Sequence, residues 1–72
     1  MISLLYYQML VSHYLSDGYE VDEILSMIKE AEILETENYL SLYWDNGAVD
    51  IFLKVWVKMI GGYFVCLKYV DD

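Results

Sequence analysis

The chain has 72 residues, of which 58% are hydrophobic, and its 12 acidic residues against 4 lysines give a formal net charge of −8. This length predicts one small domain over residues 1–72, close to the lower size limit for a stable core. The hydrophobic fraction exceeds the roughly 45–50% typical of soluble domains, which indicates that some apolar surface meets a partner. The chain has no arginine for bidentate phosphate contacts and its field is negative, so direct nucleic-acid binding is not expected.

The single cysteine, Cys66, and the single histidine, His13, provide neither an intramolecular disulfide nor a zinc site built from those residue types. Residues 1–15 are apolar, but polar residues interrupt them and no basic segment precedes them. We therefore expect neither a membrane-spanning helix nor a signal peptide, and the cytoplasm is the expected compartment.

Residues 3–16 are predicted to form a first helix, because apolar residues cover most of its circumference at helical spacing. Asp17 and Gly18 should end this helix, with Gly18 suited to the left-handed conformation that often follows a helix C-terminus. Tyr6 and Tyr7 leave a strand as the less favoured alternative for its first turns. A helix that is apolar on most sides is either buried on several sides or shared with a partner.

Residues 20–34 are predicted to form a second helix, which is amphipathic and has acidic residues at its start, where the helix macrodipole favours them. Eight of the 12 acids lie between Asp17 and Glu37. Glu23, Glu30 and Glu37 follow one another at seven-residue spacing, so we expect them to form a carboxylate row on the solvent side of the helix.

Three strands are predicted after the helices, over residues 39–44, 49–60 and 63–70. Asp50, Lys54 and Lys58 also have the i, i+4 spacing of a helix, but the β-branched residues around them favour a strand. The predicted fold is therefore α+β, with two N-terminal helices packed on one face of a three-stranded antiparallel meander in the order α-α-β-β-β.

Asn46-Gly47 and Gly61-Gly62 are both interpreted as two-residue hairpin turns. The resulting registers place Leu42 opposite Ile51, Val57 opposite Cys66 and Lys68 opposite Val55. Both registers gather apolar side chains on the face that carries the odd-numbered residues of the central strand. We therefore predict that this face forms the core beneath the helices, with Cys66 buried and only Lys68 interrupting it.

The other face of the sheet is predicted to be partly open, because two helices can cover only one face. Its aromatic residues are Tyr39, Tyr43, Phe52, Trp56, Tyr63 and Tyr69. Exposed aromatic clusters are typical of interfaces, so either a homodimer that packs sheet on sheet or a docking platform for another protein would account for this face.

The candidate catalytic patterns do not assemble into a site. His13 follows Ser12 in a helix, where neighbouring side chains point about 100° apart, so the two do not form a nucleophile and base pair. Residues 45–50 lack the spacing of a calcium-binding loop, and Gly61-Gly62 lacks the residues that follow in a phosphate-binding loop. We expect no enzymatic activity, no metal site and no cofactor.

A binding function remains, and the charge predicts a basic partner. Carboxylates on a compact scaffold imitate nucleic-acid phosphates and are attracted to the basic groove of a nucleic-acid-binding protein. In size, charge and lack of catalytic residues, the chain looks like small acidic inhibitors, many of them from bacteriophages, such as anti-CRISPR proteins and other anti-defence DNA mimics. The residues expected to bind the partner are Asp22, Glu23, Glu30, Glu37, Tyr39, Tyr43, Phe52, Trp56 and Tyr69.

The alternative function is that of a self-associating structural or regulatory module, including an antitoxin-like or immunity-type protein. In that case the acidic helix would serve only solubility, and the aromatic sheet face would be the interface of a homodimer.

Overall fold

A computed structural model describes residues 2–70 as an α+β fold in which two helices precede a four-stranded antiparallel sheet. The helices are α1 (Leu4–Ser16) and α2 (Val21–Glu30). The strands are β1 (Glu32–Glu35), β2 (Tyr39–Tyr43), β3 (Val49–Met59) and β4 (Gly62–Val70), and they lie side by side in chain order. The predicted class and the order of helices before strands are confirmed, but the predicted number of three strands is wrong.

The additional strand, β1, comes from residues that were assigned to the second helix. The helix ends at Glu30, and Ile33 pairs with Leu42 across the β1–β2 ladder. Leu34 continues the helical spacing in the sequence. Pairing with β2, however, satisfies the backbone hydrogen bonds of this segment and packs the Ile33 side chain against the core. Tertiary contacts therefore override the local helical pattern. Glu37 consequently lies in the β1–β2 turn and not on the helix, so the predicted helical row through Glu23, Glu30 and Glu37 is wrong.

Helix α1 ends before Asp17-Gly18, as predicted, and its C-terminus forms a Schellman motif. The Gly18 N–H donates to the Leu15 carbonyl and the Tyr19 N–H to the Tyr14 carbonyl, each at 3.1 Å. Gly18 has φ of 98°, a conformation that strains any residue with a Cβ atom. The motif places the ring of Tyr19 against that of Tyr14, with 6.0 Å between their centroids.

The β2–β3 connection is a three-residue turn, and this overturns the predicted register. Trp44 and Ala48 flank the turn, because the Trp44 N–H donates to the Ala48 carbonyl at 2.9 Å. Gly47 donates to the Trp44 carbonyl and has φ of 87°, as in a type I turn closed by a left-handed glycine. Leu42 therefore pairs with Asp50 rather than Ile51. A shift of one residue moves every side chain of a strand to the opposite face.

The β3–β4 turn also differs from the prediction, but without changing the faces. Met59 pairs with Gly62, so Ile60 and Gly61 form the two-residue turn. The ladder is displaced by two residues, an even number, and Cys66 lies opposite Val55 rather than Val57.

The core consequently lies beneath the even-numbered face of β3, opposite to the prediction. Phe52 is 1% exposed, and its neighbour across the β2–β3 ladder, Leu40, is fully buried. The other buried side chains come from both helices and from β2: Leu10, Tyr14, Ile24, Ile28 and Leu42. Each helix thus contributes two residues one turn apart to a single small core.

We call the odd-numbered face of β3, with the strands beside it, the open sheet face. Cys66 lies on this face and is exposed, which corrects its predicted burial, and Lys68 lies opposite Leu53 rather than Val55. No side chain of the open sheet face belongs to the buried core among residues 2–70. The apolar side chains at the odd-numbered positions of β3, which were predicted to form the core, therefore lie on the surface of the sheet opposite the core.

The distal part of the β3–β4 hairpin extends beyond the rest of the sheet. Strand β2 pairs with β3 only as far as Leu53, so residues 55–59 and 62–66 form a two-stranded ribbon, here named the hairpin arm. Its exposed apolar side chains include Trp56, which is 67% exposed, and Ile60 at the tip.

We predict that substitutions on the two faces of β3 differ sharply in how much they lower the free energy of unfolding. Phe52→Leu should lower the free energy of unfolding by about 1–2 kcal/mol, because the smaller side chain leaves a cavity in the core. Val57→Ala on the open sheet face should change it by less than about 0.5 kcal/mol.

Urea unfolding followed by circular dichroism would measure both variants, at protein concentrations low enough for self-association not to contribute. The reverse ranking, with Val57→Ala the more costly variant, would show that the odd-numbered face is the core after all.

Candidate functional site

The aromatic residues predicted to bind a partner are divided between the two faces of the sheet. Tyr39 and Tyr43 lie on the open sheet face and are exposed. Trp56 and Tyr69 lie on the opposite face, the one that carries the helices. Phe52 lies on that face too, but it is a core residue, so its predicted role as an exposed anchor is wrong because of the register shift.

The predicted acidic residues are all exposed. Asp22 and Glu23 lie in the first turn of α2 and Glu30 at its last residue, while Glu37 lies in the β1–β2 turn. We call residues 17–37 the acidic segment, since its eight carboxylates are exposed. Two of them have a cationic or ionisable partner: Asp17 lies 3.4 Å from His13, and Glu35 is paired with Lys54. The other six form no salt bridge within the described part of the chain.

The Lys54–Glu35 pair joins β3 to the β1 edge of the sheet. The Lys54 Nζ donates to Glu35 Oε2 and to the Thr36 carbonyl, both at 2.7 Å. The hydrogen bond to Glu35 raises the pKa of Lys54 above its ordinary value. Because Lys54 forms these contacts, its charge compensates that of Glu35 and not those of the other carboxylates of the acidic segment.

The open sheet face is apolar with few charges. Its described charged side chains are Glu32 on β1 and Lys68 on β4, at its two edges. Its large apolar side chains that are classed as exposed are Leu34, Tyr39, Tyr43, Val49, Val57, Met59 and Phe64. A contiguous apolar area of this kind is characteristic of an interface.

A cleft of about 390 Å³ opens on the helix side of the molecule, next to the β2–β3 turn. Three aromatic rings line it: Tyr14 from α1, Tyr19 from the α1–α2 connection and Trp44 from the end of β2. The Tyr14 ring meets Tyr19 and Trp44 edge to face, at centroid distances of 6.0 and 5.8 Å. The carboxylates that line the cleft are Glu30, Asp45 and Asp50, and the remaining lining residues are Met27, Asn46 and Ala48.

Asp50 is the hydrogen-bonding centre of the cleft. Its Oδ2 accepts a hydrogen bond from the Tyr14 hydroxyl at 2.6 Å and one from the Trp44 indole N–H at 3.0 Å. Its Oδ1 lies 3.5 Å from the donating Tyr69 hydroxyl. All three donors are neutral, so they orient the carboxylate and lower the cost of its partial burial without cancelling its charge.

Tyr14 is the buried member of this network. The pKa of the Tyr14 hydroxyl is raised well above its ordinary value. Burial is the larger cause, and the hydrogen bond to Asp50 is the second. The hydroxyl therefore remains protonated at neutral pH and acts as a permanent donor to the carboxylate.

His13 lies among aromatic rings beside this network. Its ring stacks on Tyr69 at 5.1 Å and meets Phe52 and Tyr14 edge to face, each at 5.0 Å. These contacts assign His13 a packing role between α1 and the sheet.

A second, wider groove of about 910 Å³ lies between α1, α2 and β1. Its lining is mostly apolar and includes Ile2, Leu25 and Ile33, with Lys29 and Glu35 as the charged members. It lacks the set of carboxylates and rings that gives the cleft its chemical character.

The cleft was not predicted from the sequence, although signals for it were present. Tyr14 and Tyr19 lie on either side of the predicted helix end at Asp17-Gly18, and a Schellman motif brings such positions together. Asp50 is a charged residue in an otherwise apolar stretch of strand, which indicates a special environment.

Within residues 2–70, no group of three or more His, Cys, Asp or Glu side chains is arranged to hold a metal ion. Over the same residues, neither helix has the length and apolar character needed to cross a membrane. No protein-family model matches the chain, and no curated protein or solved structure matches it either.

We predict that Tyr14→Phe lowers the free energy of unfolding at pH 7 by about 1–3 kcal/mol, because it removes a hydrogen bond to a charged group. Urea unfolding of the variant and of Tyr63→Phe, which alters an exposed tyrosine, would measure this difference.

The same pair of variants tests the pH dependence. A raised pKa means that the folded state holds the Tyr14 proton more tightly, so this contribution is complete below about pH 10 and declines as the pH rises further. The wild type and Tyr63→Phe should therefore lose more stability between about pH 9 and 11 than Tyr14→Phe does. Equal losses in all three proteins would contradict the assigned environment of Tyr14.

Proposed function

We propose that this protein is a non-catalytic, cytoplasmic binding protein that occupies the nucleic-acid-binding surface of a basic protein. The observation that carries this proposal is the acidic segment, in which six exposed carboxylates have no salt-bridge partner among the described residues. Such an inhibitor would act as phage anti-defence proteins of the DNA-mimic type do, including anti-CRISPR proteins.

Electrostatics explains why this arrangement favours a basic partner. Exposed charges interact over about 8–10 Å at physiological ionic strength, so carboxylates within one segment act together on an approaching protein. A net charge of −8 on 72 residues adds a long-range attraction that accelerates the encounter. A groove that binds phosphates offers the complementary cations, and the protein competes for them with nucleic acid.

We predict that the location of the charge, and not the net charge alone, determines binding. The double variant Asp22→Asn/Glu37→Gln removes two exposed carboxylates of the acidic segment and should weaken binding to the partner by about tenfold at low salt. The matched control, Ile60→Lys/Tyr63→Lys, changes the net charge by the same amount at the tip of the hairpin arm and should bind nearly as the wild type does.

The partner for this measurement would be captured from a host lysate, purified and titrated in the presence of duplex DNA or RNA. Release by about 0.5 M salt and competition by nucleic acid are expected, because exposed charge contacts are screened. A captured protein that binds no nucleic acid, or equal weakening by the two double variants, would overturn the proposal.

A second function, self-association, is favoured by the open sheet face, and we propose a second copy of the chain as its occupant. This face carries only Glu32 and Lys68 as described charged side chains, so two copies can approach there despite their negative net charge. The arrangement would leave the helix side of each copy, including α2, free for a partner.

The size of the open sheet face suits such a dimer. With strands about 4.8 Å apart and rising about 3.4 Å per residue, the flat projection of the face covers about 500 Å². Its accessible surface area is larger, because the side chains protrude from this plane. Standard interfaces bury about 800 Å² of accessible surface on each partner. Two-fold symmetry would pack the same apolar side chains against one another, as in other two-sheet sandwiches.

We predict that Val57→Lys/Phe64→Lys, which places charges on the open sheet face, converts the protein from a dimer to a monomer. Trp56→Lys, on the opposite face of the same hairpin arm, should leave the dimer intact. Light scattering after size-exclusion chromatography would give the masses. A monomeric wild type at about 100 μM, well above the dissociation constants of most stable dimers, would contradict self-association through this face.

A further inference from the structure

We propose that the cleft beside the β2–β3 turn is a receptor for the guanidinium group of an arginine side chain on the basic partner. This inference rests on the proposed function and adds to it a defined contact outside the first turn of α2. Its basis is the combination of Tyr14, Tyr19 and Trp44 with Glu30, Asp45 and Asp50 around one opening.

Three aromatic rings suit the cleft to a planar cation. Tyr14, Tyr19 and Trp44 come from three separate segments, and the Tyr14 ring meets each of the other two edge to face, so this wall of the cleft is preorganised. Aromatic rings attract cations through the negative charge of their faces, and tryptophan does so most strongly. A planar guanidinium also stacks on such rings, which a compact ammonium does not do.

The carboxylates suit the cleft to a positive charge. Glu30 and Asp45 are exposed, and among the described residues the half-buried Asp50 accepts hydrogen bonds from neutral groups only. Within residues 2–70, no lysine lines the cleft, so three carboxylates lie around it with no cation among the described lining residues. The charge of the half-buried Asp50 is worth more than that of a carboxylate on an open surface, because protein atoms exclude part of the solvent around it.

The size of the cleft and the arrangement of its carboxylates favour an organic cation over a metal ion, and arginine over lysine. A volume of about 390 Å³ suits an organic group far better than a bare ion. The carboxylates do not form a metal-binding cluster within residues 2–70. Five N–H donors on a flat, weakly hydrated group match dispersed carboxylates and aromatic walls, so arginine fits better than lysine.

The test titrates the whole protein with butylguanidinium and follows the indole N–H resonances of its two tryptophans by NMR. Trp44 lines the cleft, whereas Trp56 on the hairpin arm lies outside it and serves as an internal reference. We expect a saturable shift of the Trp44 resonance below about 50 mM ligand, with Trp56 unchanged. Butylammonium should bind more weakly, and butanol should give no saturable shift.

Two variants and a matched control locate the site. Asp45→Asn and Glu30→Gln should each weaken butylguanidinium binding by about two- to fivefold, the effect of one partly exposed charge contact. Asp22→Asn removes a carboxylate from the first turn of α2, outside the cleft lining, and should leave the titration unchanged. Equal shifts with butanol, or no saturation at Trp44, would overturn the inference.

Partner binding separates this inference from the proposed function. Asp45→Asn should also weaken the complex with the partner, and the occupant is then a partner side chain. If butylguanidinium binds but Asp45→Asn has no effect on the complex, the cleft holds a free organic cation instead, and the inference fails while the proposed function stands. If the complex is insensitive to Asp22→Asn/Glu37→Gln but butylguanidinium still binds, it is the proposed function that fails.

Discussion

The three-residue turn at Asp45, Asn46 and Gly47 is the constraint on which the rest of the structure depends. Its closing bonds pair Trp44 with Ala48, and this pairing decides which side of β3 meets the helices. The Asn46 Oδ1 accepts a hydrogen bond from the Ala48 N–H at 2.9 Å and stabilises the turn further. Shortening the turn by one residue would exchange the buried and exposed sides of the whole strand.

One result of this register is that a carboxylate lies on the same side of β3 as the core. Asp50 is accommodated there because Tyr14 from α1 and Trp44, which directly follows β2, both donate hydrogen bonds to it. Desolvating a carboxylate costs several kcal/mol unless hydrogen bonds replace water, so these donors offset the cost of placing Asp50 there, and the Tyr14 hydrogen bond also joins α1 to the sheet. The cleft and the packing of α1 thus have one physical origin.

Local patterns in the sequence were sufficient to predict both helices and three of the four strands, but they did not predict which face of the sheet is buried. Helix α1 and its end at Gly18 follow from side-chain periodicity and one glycine, both of which act within a few residues. The faces depended on whether Asn46-Gly47 made a two-residue or a three-residue turn, and apolar residues on both sides of β3 fitted either choice. Strand β1 was missed because its pairing with β2 is a tertiary contact. The exposure of the acidic segment was predicted correctly, because carboxylates are solvated whatever the strand register is. The cleft was not predicted, because it is formed by contacts between residues that are distant in sequence.

The hairpin arm has a consequence for local stability. Its backbone is paired only within the ribbon, and none of its side chains belongs to the buried core among residues 2–70, so it can open without disturbing the core around Phe52. Its amide hydrogens should consequently exchange with solvent far sooner than those of β2 and the first half of β3. The arm carries the exposed Trp56 along its length and Ile60 at its tip, and a bound partner or second copy would order it, so slowed amide exchange would report the contact.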